Sequence, residues 1–200
     1  MTLAAAAPAS AQGPHLSVSP GNSDNGWRAA VRPVGLLSDS ALIRPLLSGL
    51  PLRFHFQLEL WNDRFLADGL VNRTTWSLIL YQEPLSAEYR LTYSWVPDAE
   101  DWFISLEAVT AALERWYQTA LPGPEPGSGT YYYEAKLEVE ILSLGDLDEL
   151  EDWLRGEVTT GEVSGGGLFG ALGRGAKRLF IRLIGLSARK FESRTDTFRP

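Results

Sequence analysis

Residues 52–61 run Leu-Arg-Phe-His-Phe-Gln-Leu-Glu-Leu-Trp, and an alternation this strict leaves the backbone little choice. Successive side chains of a strand point to opposite faces, so Leu52, Phe54, Phe56, Leu58 and Leu60 share one face. Arg53, His55, Gln57 and Glu59 share the other. A helix would scatter both sets around its circumference. Pro51 stands at the start, where a missing backbone donor costs least. The apolar face must be covered, and the chain supplies more strands with the same period. Over 130–142, Tyr131, Tyr133, Ala135, Leu137, Val139 and Ile141 point in, while Tyr132, Glu134, Lys136, Glu138 and Glu140 point out. Shorter strands are predicted over 15–19, 27–34, 73–82 and 87–95. Residues 62–72 read as a loop pinned to the body by Phe65 and Leu66.

Helical spacing recurs in three places. Ser40 is the expected cap of a short helix carrying Leu42, Ile43, Leu46 and Leu47, with Gly49 as its stop. Ser105 caps a helix to about Tyr117, with Leu106, Val109, Leu113 and Trp116 as its apolar stripe. Asp146 caps a third, carrying Leu147, Leu150, Trp153 and Leu154. These elements predict an α+β fold: an antiparallel sheet of five to seven strands, two or three helices on one face, water on the other, and a C-terminal amphipathic helix. A β-sandwich or a partly closed barrel is the alternative.

The domain plan follows from composition shifts. Ala9-Ser10-Ala11 fits the cleavage pattern of a secretory signal, although the apolar run is short and no basic n-region precedes it. Residues 1–11 therefore read as the remnant of a signal peptide, with a mature chain beginning near Gln12. Residues 12–157 form a single domain, 158–167 a Gly-rich linker, 168–187 a basic amphipathic helix and 188–200 a polar tail. If that helix binds a surface instead of docking on its own body, residues 1–164 alone are expected to stay folded.

Several chemistries find little support. The chain has no cysteine, which removes disulfides, thiolate metal sites and thiol catalysis. It has two histidines, so a histidine-cluster zinc site is disfavoured. Asp146, Asp148, Glu149, Glu151 and Asp152 lack the alternating ligands and central glycine of a calcium loop. The glycines of 166–175 match no phosphate-loop pattern. A Tyr131–Tyr133 stacking surface would sit on an acidic strand that repels nucleic-acid phosphates. No catalytic, cofactor-binding or metal-ligating residue is assigned, no cofactor is expected, and an enzyme is the least supported class.

One stretch invites a partner. Leu168, Phe169, Leu172, Leu179, Phe180, Leu183 and Ile184 lie on one side of a helical wheel, with Arg174, Lys177, Arg178 and Arg182 opposite. From Leu168 onward eight basic residues face two acidic ones, in a chain of net charge −7. Such a stripe belongs against its own body, a partner protein or an anionic membrane surface. No apolar run is long enough for a transmembrane helix.

The order Leu-Ser-Asp-Ser, short helix, Ser-Gly-Leu-Pro-Leu at 48–52 and a long alternating strand resembles a bacterial family, domain of unknown function 4390. Glu-Tyr-Arg-Leu at 88–91, Ser-Leu-Glu-Ala at 105–108 and the aromatic strand opened by Tyr131 continue the likeness over about residues 15–155. The loop after Trp61 departs from the family's Trp-rich one. The resemblance implies an exported, periplasmic or envelope-facing protein and carries over no site. The expected function is a non-enzymatic envelope module that binds a protein or a membrane surface. The alternative is a carrier holding an apolar ligand between sheet and helices.

Overall fold

The alternating stretch lies in the middle of a six-stranded antiparallel sheet in the computed structural model, which describes residues 13–23, 26–96, 99–119, 121–124, 127, 129–142 and 189–200. In chain order the elements are β1 (His15–Ser19), β2 (Asn22–Ser23), β3 (Gly26–Trp27), β4 (Ala30–Val34), α1 (Ser40–Leu47), β5 (Leu52–Asp63), β6 (Gly69–Gln82) and β7 (Tyr89–Tyr93). There follow β8 (Glu100–Phe103), α2 (Leu106–Leu113), β9 (Tyr117–Gln118), β10 (Thr130–Ile141) and β11 (Arg189–Arg194). The large sheet has the order β11-β10-β5-β6-β7-β8, a small one the order β1-β4-β9, and β2 and β3 form a ribbon. The strands do not close into a barrel: β11 and β8 are the two edges of the large sheet.

β5 pairs with β10 along its whole length, from Leu52↔Ile141 to Asp63↔Thr130. The two clearest alternations in the sequence therefore lie side by side with their apolar sets on one face. Leu52, Phe54, Phe56, Leu58 and Leu60 are all fully buried there. The covering layer is mixed. Leu42 and Leu46 of α1, Val109 and Leu113 of α2, and Leu16 and Val31 of the small sheet join the same core. The helices thus share their layer with a second sheet, because neither eight-residue helix is long enough to cover this face alone.

Several local expectations are corrected. The cap of α1 is Asp39, whose Oδ1 accepts the Ala41 N–H at 2.8 Å, and not Ser40. α2 is capped by Ser105 through the Ala108 N–H, as expected, but ends at Leu113. Tyr117 then starts β9 and Trp116 is left exposed. β6 begins at Gly69, so the loop after β5 is far shorter than 62–72, and Phe65 and Leu66 are exposed at its tip instead of pinned. The break around Pro97 is followed by β8, which the sequence reading omits.

The largest correction is at the C-terminus. Residues 188–200 are not a free polar tail: Arg189–Arg194 is an edge strand paired with β10 from Val139↔Arg189 to Glu134↔Arg194. Beyond it, Tyr131 and Phe198 exchange both backbone hydrogen bonds, at 2.9 and 2.8 Å. The strand escapes notice because Phe191 is its one apolar residue. Residues 143–188 therefore leave and return at neighbouring positions of one strand pair. The expected third helix, the linker and the amphipathic helix lie in that stretch, outside the described residues, as do residues 1–11.

The core face holds two polar anomalies among the described residues, the Trp76 indole N–H and the Tyr133 hydroxyl. Among the described residues the buried Tyr133 hydroxyl has no hydrogen-bond partner, and burial pushes its pKa up to about 12. A buried, unsatisfied hydroxyl costs about 1–3 kcal/mol. Tyr133→Phe keeps the ring stacked on Phe198, at 5.4 Å between centroids, and removes that cost. The expected result is a urea midpoint equal to or above that of the parent; a clear fall would show a hidden partner for the hydroxyl.

Candidate functional site

The second face of the large sheet is polar, but only part of it is wet. Strand alternation places Arg53, His55, Gln57 and Glu59 of β5 there, opposite Ile79, Ser77, Thr75 and Arg73 of β6. On the other side they meet Glu140, Glu138, Lys136 and Glu134 of β10. The sequence reading made this a solvated face, yet Glu59 is 1% exposed, Tyr132 5% and Glu140 7%.

Glu59 survives burial because donors surround it. Gln57 Nε2 donates at 2.8 Å and Trp61 Nε1 at 3.1 Å. The Arg73 guanidinium pairs with the same carboxylate, and Lys136 Nζ stands 3.7 Å away. Burial pulls the Lys136 pKa down, but the Glu134 hydrogen bond and the charges of Glu134, Glu59 and Glu192 outweigh it and leave the ammonium above its usual range. A buried charge persists only when paired and hydrogen-bonded. Arg53 pairs with Glu140, and Lys190 with Glu138 at 3.3 Å. Glu59, Glu138 and Glu140 are thus each paired with a cation on a neighbouring strand.

His55 is half-buried on this face, with Nδ1 2.9 Å from Ser77 Oγ. Burial lowers its pKa below the usual 6.5, the Arg53 charge lowers it further, and Glu138 opposes both. The folded state therefore resists protonation that the unfolded chain accepts. The stability this implies is complete above pH 6.5 and is lost as pH falls from there toward the depressed folded value. Replacement His55→Gln is expected to flatten the stability–pH curve in that window. Urea titrations between pH 7 and 5 test it, and an unchanged slope would assign the acid sensitivity elsewhere.

Nearer the β5–β6 turn, Tyr132 donates its hydroxyl hydrogen to Asp68 Oδ2 at 2.8 Å. The Arg194 guanidinium carbon lies 3.3 Å above the Tyr132 ring, and Trp61 stacks beside it. Burial and the Asp68 bond push the Tyr132 pKa up to about 12. The middle tyrosine of the 131–133 run is thus roofed by arginine, while Tyr131 and Tyr133 face the core, and the three present no stacking surface.

The apolar surface lies elsewhere. Phe65 and Leu66 at the hairpin tip are fully exposed, and Leu70, Val71, Trp95 and Val96 are about half exposed. Among the described residues no group of three or more His, Cys, Asp or Glu could hold a metal ion, and no helix is long and apolar enough to cross a membrane. The expected contact residues, from Leu168 to Ile184, lie outside the described residues. The sequence reading missed the hairpin tip; its one signal was two large apolar residues inside a polar turn, Asn62-Asp63-Arg64 before and Ala67-Asp68-Gly69 after. Compared with protein-family models, curated proteins and solved structures, the chain matches none.

Proposed function

We propose that this protein is a non-enzymatic binding module of the cell envelope, exported to the periplasm, that docks on the surface of another protein. The observation that carries the proposal is the pair Phe65 and Leu66, fully exposed where β5 turns into β6. Exposed apolar side chains at a loop tip cost solubility and add nothing to the core, so they fit a contact with a partner. The tip joins two long paired strands of the sheet, which anchor both of its ends and so lower the ordering cost of binding. Asp63 and Asp68 flank it, and these carboxylates favour a protein over an anionic bilayer. The basic amphipathic stretch, with Arg174, Lys177, Arg178 and Arg182, is the candidate contact for an anionic membrane surface; the envelope as the setting rests on the order of motifs along the sequence and on Ala9-Ser10-Ala11.

Two measurements test this reading. Affinity capture from native envelope should retain specific partners with the parent chain and lose them with Phe65→Ser/Leu66→Ser. That double variant should keep the parent's stability within about 0.5 kcal/mol, since it alters only exposed residues. Flotation with anionic vesicles at low salt is the membrane arm. Capture unchanged by the double variant, together with flotation that depends on the basic stretch, would replace the protein partner with a bilayer.

A further inference from the structure

β6 is longer than the strand beside it. β7 pairs with it from Leu78↔Tyr93 to Gln82↔Tyr89, and the chain then turns away at Ser94 and Trp95. The half of β6 before Ser77 has no neighbour on that side among the described residues. The last occupied position shows which backbone groups face outward. The Ser77 N–H donates to Ser94 Oγ at 2.9 Å, and the Ser77 carbonyl accepts the Ser94 N–H at 3.0 Å. Direction alternates along a strand, so Thr75 and Arg73 also turn their N–H and C=O outward. Asn72 Oδ1 takes the Arg73 N–H at 2.8 Å. The Thr75 N–H, the Thr75 carbonyl and the Arg73 carbonyl remain as open ladder positions among the described residues.

The side chains beside this edge specify what fits. On the polar face one row crosses the sheet as Arg194, Glu134, Glu59 and Arg73, and it stops at the open edge on a cation. A residue added beyond Arg73 completes that row if it is acidic, because opposite charges across neighbouring strands stabilise and like charges do not. On the core face Trp76 stacks on Phe56 with ring centroids 5.1 Å apart, Phe56 meets Tyr117, and the half-exposed Trp95 stands edge-on to Tyr117. A residue added opposite Trp76 extends an aromatic surface and is best apolar. Trp76 lies three positions along from Arg73.

We propose that this open half of the β6 edge accepts an extended segment of a partner protein as an added strand, with an acidic residue beside Arg73 and an apolar residue three positions away beside Trp76. The proposal deepens the protein-binding function and rests on it. Strand addition draws affinity from main-chain hydrogen bonds and specificity from alternate side chains, and both are available here. Arg73 also explains selectivity: a charge on an edge discourages indiscriminate pairing. A second copy of this chain would offer Asn72, Arg73, Thr74 and Thr75, with no carboxylate for Arg73.

The test is a displayed library of random peptides panned against the full chain. Enriched peptides should carry an acid and an apolar residue three positions apart, and the synthetic peptide should protect the Thr75 amide from hydrogen exchange. Changing the acid to lysine should weaken binding about tenfold, the loss of one charge-assisted contact. Thr75→Pro removes an outward donor, with φ fixed by the ring as an edge strand can tolerate, and should abolish binding. Where circular dichroism shows that Thr75→Pro has lost its fold, N-methylation of the peptide amides replaces it. Phe65→Ser/Leu66→Ser should leave peptide affinity within about twofold, so a failure here is separate from a failure of the hairpin-tip contact. Enrichment without the acid, binding that survives both Thr75→Pro and N-methylation, or sedimentation showing self-pairing through this edge would overturn the proposal.

Discussion

A chain ending at residue 188 will fail to fold stably, although everything it loses reads as a polar tail. β11 supplies the outer partner of β10 over six registered pairs. Thr195 then receives the Tyr133 N–H on its hydroxyl and donates its own N–H to the Tyr133 carbonyl, each at 3.0 Å. Phe191 and Phe198 pack against the core, and Phe198 covers Tyr133, the largest fully buried side chain among the described residues. Full burial of a phenylalanine is worth about 1.5–3 kcal/mol, so these two partly buried rings contribute up to about 3–6 kcal/mol. A domain is stable by only about 5–15 kcal/mol. The truncation also exposes the core-facing edge of β10 and a row of unpaired backbone groups. Far-UV circular dichroism and urea denaturation of residues 1–188 beside the full chain decide the matter. An equal midpoint would mean that β11 adds nothing and that the domain ends near residue 157 after all.

Phe56→Ala is expected to cost about 3–5 kcal/mol, the range for a large aromatic lost from a packed core. Phe56 is fully buried at the centre of β5. Its ring stacks on Trp76 within 2° of parallel, and Tyr117 of the small sheet tilts against it at 5.6 Å. The side chain therefore joins the two layers, and its loss opens a cavity that neither β6 nor β9 can fill without shifting. Aromatic pairs of this kind add about 0.5–1.5 kcal/mol beyond the area they bury. Urea denaturation reads the cost, and tryptophan fluorescence should change as Trp76 loses its stacking partner. A cost under about 1 kcal/mol would place Phe56 in a plastic region of the core.

Much of this architecture was legible in the residue order. Alternation fixed the faces of β5 and β10, because a period of two admits one assignment once a core exists. The capping Ser105 marked the start of α2, since a serine oxygen ahead of an apolar period satisfies an orphan donor. The hairpin of β6 and β7 followed from two strands around Glu83-Pro84-Leu85-Ser86. What stayed hidden depends on neighbours distant in sequence. β11 carries one apolar residue and becomes a strand only because β10 offers a free ladder and charges that match Lys190 and Arg194. Glu59 reads as a solvated strand acid, and four donors from three strands turn it into a buried anchor. Phe65 and Leu66 read as loop residues in need of a core, yet the paired strands on either side of them end before any core is within reach. The sequence by itself determined which side of each long strand is apolar, through local periodicity. Tertiary structure alone decided which polar groups are buried, which apolar ones are left in water and where the sheet ends, because those outcomes depend on what stands opposite each residue.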